Sequence, residues 1–224
     1  MTAPAVSVLL TSYNRPRYLA QAVESVFAQT MTDWELIILD DASSDPGVTH
    51  YLQGLWWHPR VIIHKARVDE AFRSATCRYA ANANTGLKLA TGRHITYLCD
   101  DDWYAPDRLE VMSAMLDHDS SIGVVYARQG VTDEAGNVQW QRVFEPVVDN
   151  AYCRVDHSSV MHTAEAGAKA GGWDESAEHW RIGDAVFWRR LHAAGYSFHL
   201  APGDGPLDYH RDHAAGVNKL GRPY

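Results

Sequence analysis

Four short apolar runs, each followed by polar residues, most constrain the first hundred residues of this 224-residue chain. Residues 6–10 give way to a turn-forming stretch at 11–16, and residues 35–39 stop at the acidic stretch 40–45. A third run covers 61–64, and a fourth, 94–99, leads straight into three aspartates, Asp100, Asp101 and Asp102. Mainly apolar runs without strict polar alternation predict strands buried on both faces, as in a parallel sheet covered by helices. Between them, Leu19, Ala22, Val23, Val26 and Phe27 recur at helical spacing and predict an amphipathic helix over 17–29. Pro46 sits where a second helix should open, and residues 74–90 predict a third that Gly92 stops. This alternation predicts the α/β class, a mostly parallel sheet with helices on both faces.

Beyond residue 120 the rhythm changes. Residues 122–127 and 138–143 flank a turn at 134–137 and predict a β-hairpin or a mixed-sheet extension. Helices are predicted near 163–170, ending at Gly171 and Gly172, and near 183–194, ending at Gly195. Residues 201–224, rich in Gly, Pro, Asp and His, read as a loop-like tail. No linker or repeat divides the chain, so a single domain is expected: a first half over 1–102, a more irregular second half over 103–200, and the tail.

The charge balance, 20 Lys+Arg against 28 Asp+Glu for a net −8, argues against a dedicated binder of nucleic acid or anionic membranes, which needs a basic face. An acidic chain that handles an anionic ligand needs local arginines or a bound cation. No stretch approaches the ~18 apolar residues of a membrane span, and no secretory signal is read at the N-terminus. Cys77, Cys99 and Cys153 are too few and too scattered for a disulfide framework or a zinc site. Free thiols in a reducing cytoplasm are the expectation.

In an open parallel sheet, ligands bind beyond the carboxyl ends of the strands. Those ends carry Thr11 and Tyr13, then Asp40 and Asp41, then the aspartate triplet. Adjacent carboxylates repel one another unless a cation or arginines neutralise them, and oxygen-only ligands suit Mg2+ or Mn2+. The plain alternative is a solvated acidic loop capping the helix after Pro106. Absences narrow the field further. No GxGxxG follows the first strand, and neither a GxxxxGK[ST] cradle nor a GxSxG elbow occurs.

The motifs together carry a family resemblance. VSVLLTSYN at 6–14, SVFAQT at 25–30, WELIILDDASSD at 34–45 and the stretch 92–102 resemble glycosyltransferase family 2. Further matches point within it to the spore-coat polysaccharide type: RYAA at 78–81, ITY at 95–97, PDRL at 106–109, VDHSSVMH at 155–162, WDES at 173–176 and RIGD at 181–184. The resemblance spans about residues 5–200 and implies the GT-A fold, a Rossmann-like sheet with a smaller acceptor-side region. It also implies transfer of a sugar from a pyrimidine nucleoside diphosphate, UDP or dTDP, to a hydroxyl acceptor, in polysaccharide or glycoconjugate biosynthesis. A thymidine-linked deoxysugar such as rhamnose fits the spore-coat type.

The same resemblance implies residue roles. Thr11, Tyr13 and Asp41 would hold the pyrimidine, with Asp41 accepting the imino N–H, and Arg73 would reach the nucleotide. Asp100 would meet the nucleoside sugar. Asp101 would ligate Mn2+ or Mg2+ under the diphosphate, while Cys99 stands where many members carry the first Asp of Asp-x-Asp. Asp184 matches the position of the general base; a plain Asp titrates near ~3.9 and is a weak base, and a helix N-cap is its simpler role. With the base opposite the leaving group, the anomeric configuration inverts. His157, His162 and Trp173 are candidates for the acceptor site, with core packing as the alternative. His210 and His213 either complete the metal site or lie in a solvated tail, the latter being the expectation. Two rival classes remain: a sugar-nucleotide nucleotidyltransferase, which would want a Gly-rich basic loop after the first strand, and an inactive nucleotide- or carbohydrate-binding module.

Overall fold

A computed structural model of the protein describes residues 3–142, 147–148 and 155–214. Cys153, Val143 and the tail beyond residue 214 lie outside the described residues. The first half follows the predicted alternation: β1 (Val6–Ser12), α1 (Pro16–Phe27), β2 (Trp34–Asp40), α2 (Pro46–Leu55), β3 (Val61–Lys65), α3 (Arg78–Leu89) and β4 (His94–Cys99). The predicted helix over 74–90 is broken at Thr76 and Cys77. A 3-10 turn over Glu70–Ala75 precedes the break, and the Cys77 amide donates to the Glu175 carbonyl instead of joining a helix. Then come β5 (Trp103–Tyr104), α4 (Arg108–His118), β6 (Val124–Tyr126), β7 (Gln129–Thr132), β8 (Val138–Arg142) and β9 (Val147–Val148). The described chain closes with β10 (Val160–Thr163), α5 (Ala164–Ala170), α6 (Gly183–Ala193), β11 (Phe198–Leu200) and β12 (Asp208–Arg211).

The main sheet has eight strands in the order β3-β2-β1-β4-β10-β6-β11-β9. β3, β2, β1 and β4 are mutually parallel, and β10 runs antiparallel between β4 and β6. Continuous apolar runs are explained by two cores, one on each face. Val6, Val8 and Leu10 pack with α1, α2 and α4, whereas Leu9, Ile37 and Leu39 pack with α3, α5 and α6. Gly171 closes α5 in the left-handed region at φ 77°, where a side chain would be strained.

A second sheet, ordered β5-β12-β7-β8, differs from the expectation in two ways. The hairpin is β7–β8; β6 belongs to the main sheet, and the chain changes sheets at Ala127–Arg128, where Arg128 Nη1 holds the Ala201 carbonyl at 3.4 Å. The stretch expected to be loop-like instead contributes β12, paired to β5 and β7. Asp208, Arg211 and His213 are buried there, their polar groups bonded to partners far away in the chain. Among the described residues no helix is long and apolar enough to cross a membrane.

Candidate functional site

The carboxyl ends of β1, β2 and β4 form one edge, and two backbone irregularities shape it. Asn14 and Ala42 both take positive φ, 53° and 61°. The Asn14 side chain accepts from the Ser44 and Asp45 amides at 2.8 and 2.9 Å, while its own amide donates to Ser43 Oγ. The turns after β1 and β2 are thereby bolted together. Asp41, 3% exposed, lies beneath them. Its Oδ1 accepts from Arg78 at 2.6 Å and Asn82 at 3.0 Å, and Arg73 pairs with Oδ2 and with the Asp41 carbonyl. Arg73 in turn stacks on the Tyr13 ring at 4.3 Å. Both oxygens of the carboxylate that the resemblance offered to a pyrimidine imino group thus already accept from protein donors.

Thr11 sits between Leu39 and Cys99 in the sheet, and its carbonyl accepts from the Asp100 amide at 3.1 Å. Asp100 Oδ2 accepts from the Tyr13 amide at 2.9 Å. The triplet carries its own counter-charge. Arg15 Nη1 contacts Asp100 at 3.0 Å and Asp101 at 2.8 Å, His213 Nε2 meets Asp101 at 2.9 Å, and His210 Nδ1 meets Asp102 at 3.1 Å. Ser158 Oγ donates to the other oxygen of Asp102 at 2.7 Å. Burial and the adjacent Asp101 charge push Asp100 up to about 7. Partial burial works against charge on Asp101 too, but the His213 hydrogen bond and the Arg15 charge hold it below the usual carboxylate range. Burial disfavours charge on His210, yet Asp102 outweighs it and pushes the imidazole up to about 10. The two histidines, His213 buried and His210 half-buried, are therefore partners of the acidic cluster, not a solvated tail.

Ligand atoms of Cys99, Asp101 and Asp102 lie within 4.8 Å of one another, as do those of Asp102, Asp156 and His210. Burial and then the carboxylates raise the Cys99 thiol, and a soft sulfur suits a hard cation less well than its oxygen neighbours do. The oxygen and imidazole donors that remain fit a hard divalent cation.

Asp184 opens α6. Gly183 before it is required, because a Cβ there would stand 2.4 Å from the Tyr79 hydroxyl. That hydroxyl accepts from the Asp184 amide, and Asp184 Oδ1 accepts from the Ala185 amide at 2.7 Å. The N-cap of α6 is Ile182, so Asp184 is not the cap but an acidic residue of the first turn, with one oxygen engaged by the next amide. Burial, then the charge of Asp156, raise the carboxyl to about 7, well above the ~3.9 of a plain aspartate. His162 and Trp173 do not line an open site. His162 is fully buried, bonded to the Tyr97 hydroxyl and the Thr163 carbonyl, and Trp173 is 3% exposed and donates to the same hydroxyl. Both are core. His157 packs against Tyr79, Tyr97 and Trp173, and burial lowers it to about 4, so it is neutral.

Sequence reasoning passed over Arg15, Arg142 and Asp156. Three neighbouring carboxylates demand a cation, and Arg15 stood in the turn beside them. Arg142 and Asp156 had no such signal, because pairing of β7 with β8 brings Arg142 to within 3.3 Å of Asp156.

A doubly covered sheet with a carboxylate cluster at its carboxyl edge, closed by a small mixed sheet, defines the GT-A class of fold. Residues 7–169 match the family model described as "Glycosyl transferase family 2", and the chain belongs to that family. Protein CgeD of Bacillus subtilis (strain 168) is 40% identical over 195 residues, 83% of this chain and 46% of CgeD. The chain thus spans about half the length of that relative. The crystal structure of S. aureus TarS 1–349 in complex with UDP-GlcNAc superposes with a TM-score of 0.72 at 15% identity, over 93% of this chain and 58% of that one. The mannosyltransferase PcManGT from Pyrobaculum calidifontis, in complex with GDP-Man and Mn2+, gives 0.65 at 18% identity, over 95% and 57%.

Proposed function

We propose that the chain transfers a sugar, with inversion, from a UDP- or dTDP-sugar to a hydroxyl acceptor in polysaccharide or glycoconjugate biosynthesis. The observation that carries this reading is the contrast between two carboxylates in one electrostatic neighbourhood. Asp101 is held ionised by Arg15 and His213, while Asp184 is raised to about 7. A leaving diphosphate calls for a permanently charged anchor for its counter-ion; an attacking hydroxyl calls for a base that titrates near the working pH. Asp101, with Asp102 and the imidazoles beside it, would hold Mn2+ or Mg2+. That cation, when bound, stabilises the charge developing on the departing diphosphate.

The chain's own residues supply the rest. Asp184 takes the acceptor proton on the oxygen not engaged with Ala185, and the Tyr79 hydroxyl fixes where α6 begins. Tyr13 offers a ring face to the base, and Arg73 and Arg78 bring positive charge to its polar edge. Residues 1–102 form the donor half, and residues 103–200 serve the acceptor. Calorimetric titration with UDP, dTDP, GDP and NADH, each with and without Mn2+, tests the donor reading. Manganese-dependent binding of UDP or dTDP, with GDP and NADH silent, is expected; GDP binding as tightly would overturn the pyrimidine assignment.

A further inference from the structure

We propose that Trp140 is the stacking platform of an acceptor subsite and that the acceptor is a saccharide presenting a pyranose face. This rests on the glycosyl-transfer reading and deepens it by naming the acceptor class. Cross-strand partners share a sheet face. In the small sheet His210 pairs with Val131 and Val131 with Trp140, so the three form one row. Asp208, Gln129 and Arg142 form the adjacent row, which their side chains confirm at 2.8 and 2.9 Å. This face looks onto the acidic cluster: His210 contacts Asp102, and Arg142 contacts Asp156, the charge that lifts Asp184. Two strand spacings put Trp140 about 10 Å from His210 in its row, roughly two sugar rings away.

Trp140 shares this face with Arg142 by regular alternation, and a local irregularity follows on its turn side. Thr132 pairs with Val138 whereas Val131 pairs with Trp140, so Gln139 is an extra residue in β8. The bulge turns Val138 to the opposite face, the side where Tyr209 stacks with Trp103, and leaves Trp140 on the face of Arg142. The Gln139 amide secures the bulge by donating to Asp133 Oδ2 at 3.2 Å and the Asn137 carbonyl at 3.1 Å. Trp140 remains 53% exposed, with the Arg142 guanidinium 5.7 Å from its ring. An exposed flat ring on a face that leads to a polar centre, with the Arg142 guanidinium over the ring at 5.7 Å as a forked donor, suits a ligand with one C–H face and a rim of hydroxyls. That is a pyranose.

The test probes an immobilised array of bacterial and plant glycans with the full chain in the presence of UDP and Mn2+. The variants are Trp140→Ala and Trp140→Phe, with Trp57→Ala as the control for an exposed tryptophan elsewhere. Trp140→Ala should weaken the retained pyranosides by about tenfold, and Trp140→Phe should keep most of the binding. Trp57→Ala should match the unaltered chain, and all variants should bind UDP–Mn2+ equally. Equal retention of glycans by Trp140→Ala would overturn the platform. So would a chain that binds UDP–Mn2+ yet retains no glycan. Loss of UDP–Mn2+ binding by the unaltered chain would sink the donor reading instead, and the glycan arm would still judge Trp140.

Discussion

The carboxyl edge of β1, β2 and β4 and the small sheet meet over the same carboxylates, but they are assembled in opposite ways. At the edge, each functional group follows its own strand: Tyr13 after β1, Asp41 after β2, Asp100 and Asp101 after β4. In the small sheet, groups arrive by register, with His210 beside Val131 and Asp208 beside both Tyr104 and Gln129. A side chain placed by where a strand stops needs only that strand. One placed by pairing needs every partner in line, so damage to the small sheet should spread to the site, whereas damage at the edge should stay local.

The largest effect is expected at Asp184, which belongs to neither sheet. Asp184→Asn should lower kcat by about 10²–10⁴-fold and leave UDP binding unchanged, as steady-state rates and calorimetry would show. In the unaltered chain kcat should rise with pH through about 7 as Asp184 loses its proton, and the variant should lack that limb. Stability runs the other way. The folded carboxyl keeps its proton to about 7 while the unfolded one loses it near 3.8, so stability falls as pH rises through that window. Asp184→Asn should therefore raise Tm at pH 8 by about 2–4 °C and leave it unchanged at pH 3. A variant with full turnover would remove Asp184 as the base.

Next comes the pair that ties the two regions together. Arg108 and Asp208 are both fully buried, with Nε and Oδ2 3.9 Å apart. Arg108 also donates to Thr96 Oγ1 and to the carbonyl of Ser158, the residue that holds Asp102. Arg108→Ala should cost about 3–5 kcal/mol and lower Tm by about 10 °C. Asp208→Asn should cost less, since burial already pushes that carboxyl up to about 7. If Arg108→Ala melted like the unaltered chain, β12 would be held by its ladder alone.

The same contrast explains what could be read from the chain. β4 was legible because a mainly apolar strand, buried at five of its six positions, runs directly into three aspartates, a pattern that needs no knowledge of the rest. β12 was not, because Asp208, Tyr209, His210 and Arg211 show no apolar alternation. They are strand-like only because Asp102, Gln129 and Ser159 satisfy them. The first strand of the hairpin was hidden for a related reason: the apolar run ends at Ala127, and Gln129–Thr132 carry no apolar alternation that marks a strand. His162 and Trp173 looked like site residues through their motifs, and only their shared bond to Tyr97 shows them to be core. The titration of Asp184 likewise depends on Asp156, which no spacing argument could bring near.

His213→Ala separates the two regions at the cation. If the small sheet completes that site, loss of the imidazole beside Asp101 should weaken Mn2+ about 10–100-fold in titrations with saturating UDP, without changing metal-free UDP binding. Unaltered Mn2+ affinity would confine the cation to the edge.

Tyr13 should give the smallest change, and it tests whether edge damage stays local. Its ring is already held by Arg73, so a base stacking on it would gain contact without ordering a mobile group. Tyr13→Phe keeps the ring and should shift the Kd for UDP–Mn2+ by less than about twofold. Tyr13→Ala should raise it about fivefold, the low end of base–aromatic stacking, with Mn2+ affinity and Tm near those of the unaltered chain. A large fall in Tm would show that the Tyr13 ring props Arg73 against Asp41. Edge and small sheet would then be equally interdependent, and the distinction between placement by strand end and placement by register would fail at its most local residue.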